Sequence, residues 1–223
     1  MFTKSRKVSA ALLLVALAAS LSTSAIAGPA LSWNLSRDIM LHTTATNPDG
    51  VWTYMSAPMG SLLQQGTYTA LSQFQLPCAG ILQSRCWTTP AANGPLVFVS
   101  DIDQPTYVFN ADAGVPVVAG NSTDAVVVRW TSPFSGNIKI SGRFSDITSN
   151  MWCGDGVNWH IAKGNNTLAS GALNFTTTPD GKVFSLSTNV NSGTNINFIV
   201  DAGPNGDSTC DATELDLLIT QQQ

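Results

Sequence analysis

The chain has 223 residues, with 10 basic side chains against 14 acidic ones and a net charge of −4. Thirteen of the acids are Asp, only 11% of residues are charged, and Gly, Ser, Thr and Asn abound; that bias favours strands and turns over helix surfaces. The acidic balance argues against nucleic acid, whose phosphates need Lys and Arg to release counterions, and against anionic membrane surfaces.

At the N-terminus, Lys4, Arg6 and Lys7 precede an apolar run over 10–19 and then Ala25-Ile26-Ala27, a small-x-small cleavage pattern. This predicts a secretory signal peptide over 1–27 and a mature chain from Gly28 to Gln223. The run is too short to span a bilayer. No Cys follows the cleavage point to carry a lipid anchor, and no second run of spanning length occurs. The expectation is export without membrane insertion, to the periplasm or the medium. Loss of the three basic residues takes the net charge from −4 to −7. Residues 28–223 suit a single domain.

Short alternating runs between turn clusters then predict strands. In chain order they are "SRDIMLH" (36–42), "VWTYMS" (51–56), "PLVFVS" (95–100) and "PTYVFN" (105–110). "DAVVVRW" (124–130) puts Val126, Val128 and Trp130 on one face and Val127 and Arg129 on the other. "NIKISGRF" (137–144) buries Ile138, Ile140 and Phe144 and leaves Asn137, Lys139, Ser141 and Arg143 wet. The link "TSPFSG" joins these two as a predicted hairpin. "GVNWHIA" (156–162) points Val157, Trp159 and Ile161 inward, and "KVFSLST", "TNINFIV" and "TELDLLIT" complete the series. Their connections, "KGNN", "TPDGK" and "NSGT", are turn-formers. No sustained 3.6-residue apolar pattern follows the signal, and no fixed-period repeat occurs. Ten or so short strands in one domain predict an all-β, jelly-roll-like β-sandwich.

Four cysteines in an exported chain fit two disulfides. Cys78–Cys86 closes one local loop, and Cys153–Cys210 links two Gly/Asp loops. A zinc site made of all four is the alternative, although no C-x-x-C spacing supports it.

Three stretches carry a family resemblance. "NPDGVWTY" (Asn47–Tyr54), "VVRWTSPFSGNIKISGRF" (Val127–Phe144) and "NGDSTCDATELDLLIT" (Asn205–Thr220) occur in that order across nearly the whole mature chain. Together they resemble exported bacterial β-sandwich domains of the kind found in PEP-CTERM-type secreted proteins. The resemblance implies an extracellular sandwich, similar in outline to carbohydrate-binding modules, and implies no catalysis. The chain departs from the pattern in ending at Gln221-Gln222-Gln223 without the Pro-Glu-Pro sorting tail, so release is expected over tail-sorting.

The acid-rich C-terminal stretch is a candidate metal site. Calcium takes six to eight hard oxygens, and Asp201, Asn205, Asp207 and Asp211 can supply several. Asp155 joins them if a Cys153–Cys210 bridge brings its loop alongside. The alternative is turn chemistry, in which Asp and Asn cap their own backbone. A second candidate is a glycan-binding set of Trp152, Asp155, Asn158 and Arg143, with an aromatic platform and polar groups for hydroxyls. The alternative there is that Trp152 covers its neighbouring disulfide. Trp130 and Trp159 read as core, Trp52 as packed over a turn, and Trp87 as a loop residue beside Cys86.

Catalytic sets are poorly represented. The chain has only His42 and His160, with no H-E-x-x-H and no G-x-S-x-G. His160 reads as an outward strand residue. A glycoside hydrolase needs two carboxyl groups flanking one bond, and no motif pairs two acids here. The sequence therefore points to a secreted, non-enzymatic binding module for extracellular polysaccharide or surface glycan, with calcium as a candidate cofactor. A structural or adhesive protein that contacts other proteins is the alternative, and a hydrolase with an Asp pair the remoter one.

Overall fold

Two antiparallel sheets lie face to face in the computed structural model of the chain, which describes residues 31–41, 44–91, 93–105, 110–147, 155–174, 176–203 and 205–222. The expected signal segment, 1–27, lies outside the described residues. The early strands are β1 (Ser32–Asn34), β2 (Trp52–Pro58), β3 (Thr69–Ala70), β4 (Gln73–Gln75), β5 (Ser84–Thr88), β6 (Leu96–Ser100), β7 (Gln104–Pro105), β8 (Asn110–Ala111) and β9 (Val117–Ala119). The later ones are β10 (Asp124–Thr131), β11 (Gly136–Asp146), β12 (Val157–Lys163), β13 (Asn166–Leu173), β14 (Lys182–Val190), β15 (Asn195–Asp201) and β16 (Thr213–Gln222). One short helix, α1 (Leu35–Leu41), follows β1.

The eight-stranded sheet runs β14-β11-β16-β9-β6-β5-β4, with β1 added to β16. The six-stranded sheet runs β13-β12-β15-β10-β2-β3. This is the expected sandwich. Alternation decides what lies between the layers: Val126, Val128, Trp130, Trp159, Ile161 and Phe198 come from one sheet, and Ile138, Ile140, Phe144, Leu215, Leu217 and Ile219 from the other. Each such side chain contributes about 1.5–3 kcal/mol when fully buried. Phe144 stacks on Trp159 at 5.2 Å between centroids, so the ring contact joins the two layers.

The outer face of the six-stranded sheet is only partly wet. Val127, Ala125 and Ile199 form a second small core with Met55, Ala57 and Tyr68, under Met59, Leu62 and Leu63. Beyond that cover, the Arg129 guanidinium sits 5.3 Å from the Tyr68 ring centroid and donates to Asn197 Oδ1 at 2.9 Å.

Three sequence expectations need correction. β10 and β11 are not a hairpin: β10 lies in the six-stranded sheet and β11 in the eight-stranded one. Their buried faces look at each other across the core, and the link between them spans the roughly 10 Å separating packed sheets. "SRDIMLH" is not a strand. Asn34 Oδ1 accepts the Arg37 N–H at 2.7 Å and caps α1, while Leu35 and Ile39, one helical turn apart, are fully buried. Leu41, which a strand would bury beside Ile39, is 72% exposed. Trp87 is not in a loop; it lies in β5, fully buried against Tyr54 at 4.6 Å and Phe74 at 5.1 Å.

Cys78 and Cys86 form a disulfide, which removes the four-cysteine zinc alternative. Cys210 is also disulfide-bonded; Cys153, the other half of its expected pair, lies outside the described residues.

Candidate functional site

The loop before β16 sorts its acids by hydrogen bonding. Asn205 Oδ1 accepts the Asp207 N–H at 2.7 Å, and Asp207 Oδ1 accepts the Thr209 N–H at 2.9 Å. Both are turn caps of the ordinary Asx kind. Bonds from Thr209 hold the Asp207 carboxyl below the usual carboxylate range. Asp201, at the end of β15, is buried. Its Oδ1 accepts the Gly203 N–H at 2.9 Å and the Asn158 amide at 3.2 Å, and its Oδ2 lies 3.3 Å from His160 Nε2. His160 is thus tied to Asp201, a partner that its outward position in the sequence does not reveal.

Asp211 differs from these three. It is 5% exposed, and neither carboxylate oxygen has a hydrogen bond of normal geometry. Burial raises its pKa to about 8, with further upward pressure from the charges of Asp155, Asp146 and Asp207; the Gly156 amide acts in the opposite direction. Three elements meet here. Asp146 ends β11 opposite Thr213, the Ile147 N–H donates to Ala212 O at 3.2 Å, and Asp155-Gly156 leads into β12. Gly203 packs so closely on Gly156 that a Cβ there would strike the Gly156 carbonyl. Asp155 Oδ1 is likewise buried without a partner. Asp201, Asp207 and Asp211 do not share one ion site: among the described residues no three His, Cys, Asp or Glu side chains could hold a metal ion together. Asp146 escaped sequence reading because nothing in "GRFSD" separates it from a strand-end turn residue.

The glycan-binding set is also divided. Arg143 alternates with buried Phe144 and so faces out of the eight-stranded sheet. Asn158 alternates with buried Val157 and Trp159 and faces out of the six-stranded one. Trp152 lies outside the described residues, and Asp155 belongs with Asp211. Among the described tryptophans none is exposed: Trp52, Trp87, Trp130 and Trp159 are buried, and half-buried Trp33 stacks on Phe134 at 5.6 Å.

Arg143 does stand in a groove. Asn34, Ser141, Arg143, Val183, Asp216 and Leu218 line an open depression of about 390 Å³ on the outer face of the eight-stranded sheet. Register builds it in rows. Arg143 is flanked by Val183 on β14 and Asp216 on β16, and Ser141 pairs with Leu218, which pairs in turn with Asn34 on β1. Donors and acceptors therefore alternate with two exposed aliphatic groups, Val183 and Leu218.

No protein-family model and no curated protein matches the sequence. Solved structures similar to the chain include three modules at low identity. The native family 35 carbohydrate binding module from Clostridium thermocellum is 13% identical over 61% of this chain and 87% of that one, with a TM-score of 0.30. The CBM51-2 and INT domains of Clostridium perfringens ZmpB, in complex with GlcNAc, are 11% identical over 69% of this chain and 30% of that one, at 0.38. The CBM36-1 domain of a multidomain xylanase from the hindgut metagenome of Trinervitermes trinervoides is 17% identical over 54% of this chain and 90% of that one, at 0.31.

Proposed function

We propose that the chain is a secreted, non-enzymatic binding module for an extracellular polysaccharide or surface glycan, akin to the exported sandwich domains of PEP-CTERM-type proteins. The observation that carries this reading is the Arg143 groove. A sugar chain presents hydroxyls that are both donors and acceptors, together with C–H faces. Arg143, Asp216, Asn34 and Ser141 suit the hydroxyls, and the Val183 and Leu218 side chains suit the C–H faces. The strands hold these groups at fixed spacing, so little ordering is required on binding.

The non-enzymatic reading is supported by access: Asp155 and Asp211, whose charges act on one another, do not line the Arg143 groove, and Asp211 is buried. Export is supported by the signal-like segment over 1–27 and by the disulfides. Among the described residues no helix is long and apolar enough to cross a membrane.

The test is retention of the purified protein on insoluble cellulose, xylan, chitin and β-glucan. Retention on at least one, weakened about tenfold by Arg143→Ala (about 1.4 kcal/mol), is expected. Retention unchanged in the variant would refute the groove, and no retention on any glycan would refute the module. That second result would favour a structural protein, for which the sheet edges speak. β13 carries no charged residue and β14 only Lys182, and both are edge strands open to pairing.

A further inference from the structure

We propose that Asp155 and Asp211 hold a calcium ion that ties the end of β11 and the start of β12 to the loop leading into β16. A buried carboxylate without a hydrogen bond is costly enough that native proteins pair it, protonate it or give it a cation. Here three buried oxygens, Asp211 Oδ1 and Oδ2 and Asp155 Oδ1, have no hydrogen bond of normal geometry in one corner of the fold, and the Gly156 amide is the one donor that bears on Asp211. Asp146, at the register position of Thr213, and exposed Asp207 act on Asp211 through their charges and are not ligands of the pair. Neither Lys nor Arg is among the charges that bear on Asp211; all of those are carboxylates.

A proton answers this arrangement poorly. It would turn one oxygen of Asp211 into a donor for one neighbouring oxygen, and it would leave the other acids of the corner, Asp146 and Asp207 among them, still facing one another. A divalent ion bound to both carboxylates would take up these oxygens and screen the acids from each other. The donor set is all hard oxygen, with no His and no free thiol, which selects calcium or magnesium over zinc and copper. Two carboxylates completed by backbone carbonyls and water suit the loose coordination of calcium better than the strict octahedron of magnesium. The site differs from the one expected from sequence: Oδ1 of each of Asp201, Asn205 and Asp207 accepts a backbone hydrogen bond, whereas both oxygens of Asp211 are buried without one of normal geometry. The inference does not depend on the glycan reading.

The test is thermal unfolding of the EDTA-stripped protein with calcium chloride, with magnesium chloride as a control for screening. In about 1 mM calcium the wild type should gain about 5 °C or more in Tm, the size expected when ligand is near a hundred times its Kd. Magnesium should give less than half of that. Asp211→Asn and Asp155→Asn remove charge without volume, so each should match or exceed the metal-free Tm of the wild type and lose the calcium response. A wild type indifferent to calcium, an equal response to magnesium, or an Asp211→Asn protein that keeps the shift would overturn the proposal.

Discussion

Glu214, the one Glu in the chain, shows how burial and a single hydrogen bond set a titration. It is 4% exposed in β16, where Oε1 accepts the Asp112 N–H at 2.7 Å. Burial is the largest influence and raises its pKa to about 7, while the Asp112 bond and the Arg143 charge pull downward. The folded state therefore keeps a proton that the unfolded chain gives up near the ordinary value of 4.5. The Glu214 contribution to stability is full below pH 4.5 and is lost as pH rises from there through about 7. Glu214→Gln keeps the acceptor for Asp112 and cannot ionise. Relative to the wild type it should gain about 1–2 kcal/mol between those limits, allowing for solvent screening. Urea unfolding at the two pH values measures this, and a constant difference between the two proteins would contradict it. At this scale the sequence reveals composition better than environment. Four Asp near the C-terminus are plain to read, but which of them is buried without a donor depends on three segments meeting from afar.

At the scale of elements, Gly142 lies in β11 where a side chain would have no room against β16 and Phe184. It takes an inward position between Ile140 and Phe144, and a Cβ there would run into the Asp216 carbonyl oxygen and lie 2.7 Å from the Phe184 ring. Neither the backbone of a central strand nor a packed ring yields cheaply, so Gly142→Ala should cost about 1–3 kcal/mol. An unchanged denaturant midpoint would show that β11 and β16 can separate freely. Strand positions and faces were largely legible, because alternation reports which side of a strand is buried. Partners were not, because alternation is the same whether the next strand lies alongside or across the core; hence the mistaken hairpin of β10 and β11. β13 escaped because "NTLASGAL" has no alternating apolar pattern; it is an edge strand whose Gly171 lies under the Trp159 ring. Helix α1 escaped because seven residues are too few for a helical period to stand out, and its cap, Asn34, is also the last residue of β1.

Across the whole molecule, the chain passes repeatedly from one sheet to the other. β2 lies in the six-stranded sheet and β4, β5, β6 and β9 in the eight-stranded one; β10 returns, β11 crosses, β12 and β13 return, and β14, β15 and β16 alternate. Neither sheet is a contiguous piece of chain, and one core cluster draws residues from both. Partial unfolding of one layer would expose the inner face of the other. Heat should therefore melt the protein in a single transition, coincident by tryptophan fluorescence and far-UV circular dichroism. β16 is the sharpest test of this interdependence. It pairs with β11 along its whole length, while its other edge takes β9 at Thr213 and Glu214 and β1 from Leu218 to Thr220. Truncation before Thr213 would remove Leu215, Leu217 and Ile219 from the core and cut the eight-stranded sheet between β11 and β9. At about 1.5–3 kcal/mol for each of the three side chains, the loss rivals the whole stability of a typical domain, about 5–15 kcal/mol. The truncated chain should show no cooperative melt and no protease-resistant fragment. A folded truncation product would mean that the six-stranded sheet stands by itself, contrary to the shared core.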